Sequence, residues 1–308
     1  MPSIPKPAWQ KRDSGLTIRM IFSFAILTLL YLIFLSVLAY LGIGYIPILL
    51  IASAMILAQW YFSDKIVLWS SGAKVVSREQ YPELHDLVER IVARNNLSKP
   101  RIAVIDTDMP NAFATGRGKK SSVVAVTTGL LNILDTEELE GVVAHELTHI
   151  RNRDALVLTL ASLFSTVAWY LMQFGFYGGL YGGGGYGYGN DDRDRNGGGI
   201  MLIILVVAML TWAISFLIIR AISRYREFAA DRGSAQMTGK PVKLANALMK
   251  ISGTMRRIPT KDLREVEGLN AFFIVPALSG STIGNLFSTH PPVEKRVQKL
   301  MEMEASMS

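Results

Sequence analysis

Residues 20–63 contain no charged side chain, and this run restricts the possible folds of the 308-residue chain more than any other feature of the sequence. Gly42, Gly44 and Pro47 interrupt it near its middle. A helix needs about 20 residues to cross the hydrocarbon core of a bilayer, so the run is long enough for two spans joined by a short turn. We therefore predict a transmembrane hairpin over residues 20–63.

The first half of this run has an alternative interpretation as a cleaved signal peptide, because it follows Lys11, Arg12 and Arg19 near the N-terminus. The apolar segment of a signal peptide has about 7–15 residues, whereas this one is longer and a second apolar stretch follows at once. The sequence therefore favours a retained hairpin that follows a cytoplasmic tail of residues 1–19.

Two further apolar stretches, residues 155–177 and 200–219, predict a third and a fourth transmembrane helix. Residues 178–199 between them are rich in glycine and predict a flexible external loop. Basic residues concentrate instead in the N-terminal tail, just before the third span and just after the fourth. By the positive-inside rule, both termini and both polar regions, residues 64–154 and 220–308, are expected in the cytoplasm of a multi-pass protein of the cell's inner (cytoplasmic) membrane.

The two polar regions predict a mainly helical cytoplasmic part with a small β-sheet. Asp135 followed by Glu138 forms a capping-box pattern that opens a helix running through His149. Apolar spacing predicts helices over residues 78–93, 242–251 and 292–301, and short strands over residues 101–105 and 122–126. His85, on the first of these helices, is expected at the surface.

Composition narrows the partners and the metal chemistry. The formal net charge is +7, but much of the basic excess flanks the apolar runs, so the lipid bilayer and not nucleic acid is the expected partner. The chain contains no cysteine. Any metal site must therefore use histidine, aspartate or glutamate.

His145 and His149 lie four residues apart within the predicted helix, with Glu146 directly after the first. Residues at this spacing share one face of a helix, and zinc accepts imidazole nitrogen at about 2.0–2.1 Å, so the two rings can hold one ion together. Glu146 can then reach a water on the ion and take its proton as a peptide carbonyl is attacked. The same pattern also arises by chance on polar helices, so further ligands are needed.

A catalytic zinc needs a third protein ligand and an open fourth position. Glu227 follows the fourth apolar run and precedes Asp231 by four residues. We predict that Glu227 ligates the metal and that Asp231 accepts a hydrogen bond from the far ring nitrogen of a ligand histidine. The alternative is a solvated acidic helix face balanced by Arg224, Arg226 and Arg232.

Three motifs in order along the chain resemble the HtpX family of membrane metallopeptidases, which is related to the CAAX prenyl proteases. They are His-Glu-Leu-Thr-His at residues 145–149, Glu-Phe-Ala-Ala-Asp at residues 227–231 and Ser-Thr-His-Pro-Pro at residues 288–292. The resemblance covers essentially the whole chain. It implies a mainly α membrane protein with four transmembrane helices and a cytoplasmic helical zinc-metallopeptidase domain with a small β-sheet. One Zn²⁺ per chain is implied, in a gluzincin-type site formed by His145, His149 and Glu227, with Glu146 as the base.

The resemblance also assigns a substrate-binding segment. It implies that Asn111, Ala112, Phe113 and Ala114 form part of a strand edge on which the substrate backbone is laid. An extended peptide adds to an open sheet edge through main-chain hydrogen bonds whatever its side chains, so the physical interpretation agrees.

His290 has two interpretations that the residues leave open. By analogy with related peptidases it stabilises the oxyanion of the tetrahedral intermediate. Alternatively, it caps a helix that begins at Pro291 or Pro292.

The placement of the motifs indicates the substrate. His149 lies six residues before Ala155 and Glu227 lies seven after Arg220, about 9 and 10 Å along a helix, so the metal is expected close to the cytoplasmic membrane surface. Substrates are then polypeptides in or near the bilayer, in agreement with the stress-linked membrane quality control and the cooperation with other membrane proteases that the resemblance implies. Two alternatives remain: a prenyl-protein peptidase and a non-catalytic scaffold with structural zinc.

Overall fold

The computed structural model describes residues 14–40, 45–116, 118, 121–182, 197–257, 274 and 290–307. Most of the expected tail, most of the glycine-rich loop and Ser288 and Thr289 of the third motif lie outside the described residues. The helices are α1 Ser14–Tyr40, α2 Tyr45–Ser70, α3 Pro82–Arg94, α4 Thr128–Ile133, α5 Thr136–Asn152, α6 Asp154–Gly182, α7 Gly197–Thr238, α8 Pro241–Met255 and α9 Val293–Ala305. The protein is thus mostly helical, as predicted.

Long helices occur at all four expected spans. Within the described part of the chain, two stretches are long and apolar enough to cross a membrane, Thr17–Tyr40 of α1 and Leu202–Thr238 of α7. Only 22% of the most apolar stretch of α1 and 17% of that of α7 is buried inside the protein. These helices are therefore not the core of a soluble domain. The prediction that α2 and α6 also span the membrane stays a prediction.

The fourth apolar run and the second motif share one helix. α7 continues without interruption for 42 residues, from Gly197 to Thr238, and therefore carries Glu227 and Asp231 directly on from the apolar segment. Helices α1, α6 and α7 pack together around Leu27, Tyr31 and Ile222, and the Tyr31 hydroxyl donates to the carbonyl of Ala161 at 2.9 Å.

A four-stranded sheet lies beside these helices, in the order β1-β2-β4-β3. Its strands are β1 Lys74–Val75, β2 Arg101–Ile105, β3 Ala112–Thr115 and β4 Val123–Thr127. β2 and β4 are parallel, while β1 and β3 run antiparallel to their neighbours. The small sheet predicted from sequence is therefore present, and β3 forms one of its edges.

Helix α5 is fixed at its N-terminal end and along one side. The Asp135 carboxylate accepts from the Glu138 backbone N–H at 2.8 Å and the Glu138 carboxylate accepts from the Asp135 N–H at 3.0 Å, so the predicted capping box is present. Ser234 of α7 donates to the carbonyl of Gly141 at 2.7 Å. This buried bond and the shared apolar core of α3, α5, α8 and α9 set the position of α5 against α7.

The surface prediction for His85 is wrong. His85 is 7% exposed; its Nε2 lies 3.2 Å from the carbonyl of Val76 and its Nδ1 lies 3.2 Å from the Lys99 ammonium. The residue after β1, Val76, contacts this face of α3, and helical periodicity alone does not reveal such a contact with a neighbouring segment.

Candidate metal centre

The side chains of His145, His149 and Glu227 converge on one point. His145 and His149 extend from successive turns of α5, and Glu227 reaches them from α7. The two Nε2 atoms are 3.1 Å apart, and the Glu227 oxygens lie 3.6 Å from Nε2 of His145 and 3.4 Å from Nε2 of His149. Together they form a group of ligand atoms suited to a metal ion.

Each histidine is backed by a carboxylate on its other ring nitrogen. Nδ1 of His145 lies 3.0 Å from Asp231, the contact predicted for that residue, and Nδ1 of His149 lies 2.5 Å from Asp154. Both carboxylates are buried. A carboxylate at Nδ1 holds the proton there and directs the lone pair of Nε2 outward, as ligand histidines require.

Two arginines in turn pair with these carboxylates. Arg296 of α9 donates to both oxygens of Asp231, at 2.9 and 2.6 Å, and its Nη1 lies 3.3 Å from Glu227. Arg226 of α7 forms an ion pair with Asp154. Charge pairing of this kind is required wherever carboxylates are buried.

The neighbouring carboxylates change the basicity of the two histidines. Burial lowers the pKa of His145, but its contacts with Asp231 and Glu227 outweigh burial and raise the pKa to about 9. Burial lowers the pKa of His149, so that ring is held in its neutral form. The carboxylates that favour a proton at His145 also favour a cation beside its ring.

Glu146 faces the same cavity without joining the ligand group. It is 4% exposed and accepts a backbone hydrogen bond from Ala114 of the edge strand. Burial raises its pKa above the usual value for glutamate. A carboxylate with a raised pKa is suited to both taking and returning a proton.

The cavity lies between the edge strand and the start of α6. Its walls include Ala112, Phe113 and Ala114 of β3, together with Leu156 of α6 and His290. The predicted substrate segment therefore lines the cavity that contains the histidines. Asn111 lies one residue before β3, and its side-chain oxygen accepts from the backbone N–H of Ile274 at 3.0 Å.

His290 is at the site and does not cap a helix. Its Nδ1 lies 3.2 Å from Glu227 and its side chain is 7% exposed. Helix α9 begins after Pro292 with no side-chain cap. This removes the capping interpretation that the sequence left open.

Sequence reasoning did not identify Asp154, Arg226, Arg296 or Ile274. A signal existed for Arg296, because Val293, Arg296 and Leu300 share one helix face and place a charge within an apolar stripe. A charged residue at such a position needs a buried partner. Ile274 is held at its carbonyl by Arg296 at 2.8 Å, a long-range contact without a sequence pattern.

Two histidines and a glutamate joined on facing helices, beside a buried glutamate and a sheet edge, define a metallopeptidase type of site. Residues 78–304 match the family model described as Peptidase family M48. The chain therefore belongs to peptidase family M48 and is a metalloprotease.

The HtpX resemblance is confirmed by relatives of nearly equal length. A Protease HtpX homolog 2 from Methanosarcina mazei is 52% identical over 303 residues, which is 98% of this chain and 100% of the relative. A Protease HtpX homolog from Moorella thermoacetica is 53% identical over 296 residues, 96% of each chain.

The fold also resembles a solved structure. The crystal structure of S. mikatae Ste24p matches with a TM-score of 0.56 at 18% identity, covering 92% of this chain and 65% of that chain. This chain thus spans just under two thirds of the Ste24p chain. These relatives and the two long apolar helices together indicate a membrane protein.

Proposed function

We propose that this protein is a zinc-dependent membrane endopeptidase in which His145, His149 and Glu227 hold one Zn²⁺ and Glu146 is the general base. One observation carries the proposal. Four-coordinate zinc with bonds of about 2.0–2.1 Å separates its ligand atoms by about 3.3 Å. The two Nε2 atoms are 3.1 Å apart, one Glu227 oxygen lies 3.6 Å from Nε2 of His145, and the other Glu227 oxygen lies 3.4 Å from Nε2 of His149, so all three residues are within reach of one ion.

The donor set also fits zinc chemically. Two imidazoles and one carboxylate are a ligand combination of catalytic zinc sites, which leave a fourth position open. The ligand group contains these three residues within the described part of the chain. An open position favours catalysis over the scaffold alternative, since structural zinc sites are closed.

When bound, zinc would act as a Lewis acid that polarises a peptide carbonyl and lowers the pKa of a water molecule. Glu146 takes the proton of the attacking water and returns it to the leaving amine. A backbone hydrogen bond from Ala114 helps to orient the Glu146 carboxylate. His290 donates a hydrogen bond to the oxyanion that forms at the former carbonyl oxygen when water adds to the carbonyl carbon.

The substrate backbone is proposed to bind along β3, with Ala112, Phe113 and Ala114 presenting main-chain groups to it. Asn111 contributes indirectly, because its contact with Ile274 fixes another part of the cavity wall. Main-chain recognition tolerates many sequences. This tolerance suits the proposed removal of misassembled proteins in or near the bilayer.

Metal content and proteolysis of Glu227→Ala test the ligand set. We expect the purified variant to lose most of its zinc and its ability to cleave an unlipidated membrane protein. Glu302→Ala, a change of an exposed glutamate on α9, is the matched control and is expected to retain both. Full zinc and full activity in Glu227→Ala would remove Glu227 from the site.

The same assay tests the class of substrate. Failure of the wild-type protein to cleave the unlipidated substrate would favour the prenyl-protein alternative.

A further inference from the structure

Asp154 occupies a special position between two helices. It is the first residue of α6, follows α5 after a single residue, and is 6% exposed. That intervening residue, Arg153, has a left-handed backbone with φ +57°. Such a conformation is uncommon for residues other than glycine, asparagine and aspartate, and it lets the chain turn sharply between the helices.

The turn brings the Asp154 carboxylate back onto α5. Its Oδ2 lies 2.5 Å from Nδ1 of His149, while its other oxygen pairs with Arg226 of α7. The three partners come from three consecutive helices. The arrangement repeats on the other side of the site, where Asp231 lies between His145 and Arg296.

A purely structural role does not account for both contacts. A carboxylate at the first residue of a helix is stabilised by the helix dipole, and pairing with Arg226 is enough to compensate its buried charge. Neither effect requires the second oxygen to contact a ring nitrogen. The bond to Nδ1 fixes the tautomer of His149 so that Nε2 faces Nε2 of His145 at 3.1 Å.

We infer that Asp154 is a positioning residue for His149, and that it makes metal affinity depend on the seating of α6 against α5 and α7. The inference rests on the proposed metal site. Any displacement of α6 moves the carboxylate that orients one ligand. The first turn of α6 is thereby part of the metal centre.

Zinc affinity of Asp154→Asn, measured by competition with a chromophoric chelator on the full-length protein in detergent, tests this role. We expect affinity 10- to 100-fold weaker than wild type, the usual loss when a carboxylate behind a ligand histidine is removed. Glu138→Gln is the matched control, because Glu138, in the first turn of α5 and away from the ligand histidines, is also a buried carboxylate that pairs with a cation, Lys250 at 2.6 Å. It should lower thermal stability but leave zinc affinity at the wild-type value.

Three results would overturn the inference. Wild-type affinity in Asp154→Asn would refute it while leaving the metal site intact. Equal weakening in Asp154→Asn and Glu138→Gln would show a general loss of fold. Absence of zinc binding by the wild-type protein would refute the proposed function as well.

A second variant keeps the test valid if Asp154→Asn does not fold. The double variant Asp154→Asn with Arg226→Gln leaves no unpaired buried charge, and the same weakening is expected. Cobalt loading adds a readout of geometry, because the d–d absorption of Co²⁺ reports on ligand arrangement. We expect this spectrum to change in the double variant and to match wild type in Glu138→Gln. An unchanged cobalt spectrum and unchanged zinc affinity would contradict the inference.

Discussion

Arg296 is the largest fully buried side chain of the described residues, and it joins Asp231, Glu227 and Ile274. Removing one partner of a buried ion pair leaves an uncompensated charge and costs about 3–5 kcal/mol. We predict that Arg296→Met lowers the free energy of unfolding by about this amount, as measured by denaturant titration in detergent.

Lys299 provides the control on the same helix. Its ammonium lies 3.8 Å from the centre of the Phe228 ring, a cation–π contact worth about 0.5–1 kcal/mol at an exposed site. Lys299→Met should therefore cost less than 1 kcal/mol on this scale. Equal losses in the two variants would contradict the role assigned to Arg296.

Residue patterns predicted the reactive groups better than the residues that support them. His145, Glu146 and His149 share a helix, so their spacing alone predicts a common face, and Glu227 was found because the site needed a third ligand. Asp154 and Arg296 gain their positions from helix packing. Asp154 directly follows a charged helix end, where a carboxylate is usually solvated, so it had no separate signal of function. Arg296 had one signal, its charge within an apolar helix face, but the partners of that charge could not be predicted.

At the scale of elements, the close approach of α5 and α7 determines whether ligands from both helices can meet. A Cβ added at Gly233 of α7 would lie 2.3 Å from a methyl group of Thr148 on α5. Gly233→Ala must therefore push the helices apart or distort a tightly packed side chain, which costs about 1–3 kcal/mol. We predict lower thermal stability and weaker zinc binding, measured by thermal unfolding and chelator competition.

Gly253 of α8 is the matched position for this prediction. It is helical, but a Cβ there would have nothing within 4 Å. Gly253→Ala should stabilise the protein slightly, because alanine favours helix over glycine. If Gly233→Ala were as stable as Gly253→Ala, the helix contact would not set the spacing of the ligands.

Ion pairs between α5 and α8 give a pH dependence. Hydrogen bonds and charge pairing with Lys240 and Lys243 lower the pKa of Glu137 to about 2. A carboxylate with a depressed pKa stabilises the fold above its unfolded pKa of about 4.3, and this contribution is lost as pH falls towards 2. The difference in melting temperature between wild type and Glu137→Gln should therefore shrink between pH 5 and pH 2. A constant difference would contradict the assignment.

The spacing of apolar residues predicted whether a segment is a helix or a strand better than it predicted where that element ends. The strand expected at residues 101–105 is β2, and the helix opened by Asp135 and Glu138 is α5. The fourth apolar run was predicted to end at residue 219 and its helix to extend as far as Glu227, and α7 continues beyond that residue to Thr238. Loss of hydrophobicity marks where a membrane ends and does not mark where a helix stops.

At the scale of the whole molecule, orientation in the membrane is the main prediction still to be tested. The chain has no cysteine, so a single introduced cysteine gives a unique labelling site. We predict that Asn190→Cys in the glycine-rich loop reacts with an impermeant maleimide on intact cells, and that Ser306→Cys reacts only after lysis. The opposite pattern would invert the topology derived from the basic residues.

The location of the chain in a membrane could be predicted because uncharged runs of this length are rare in soluble proteins. The two halves of the site lie far apart in the sequence, and they could be assigned to one site only because a catalytic zinc needs a third ligand. α5 and α7 are separated along the chain by α6, so we expect the proposed metal centre to form only when α6 and α7 are folded together. Folding of the apolar helices is therefore a precondition for the site.

Zinc content and peptide-bond cleavage of Glu146→Gln, determined on the same purified sample, test the central claim most directly. Glu140→Gln, a change on the same helix at a residue paired with Arg94, is the control. The proposed mechanism predicts that Glu146→Gln retains about one zinc per chain, as catalytic sites with three protein ligands do, and loses proteolysis, while the control retains both. Cleavage by Glu146→Gln at the wild-type rate would contradict it.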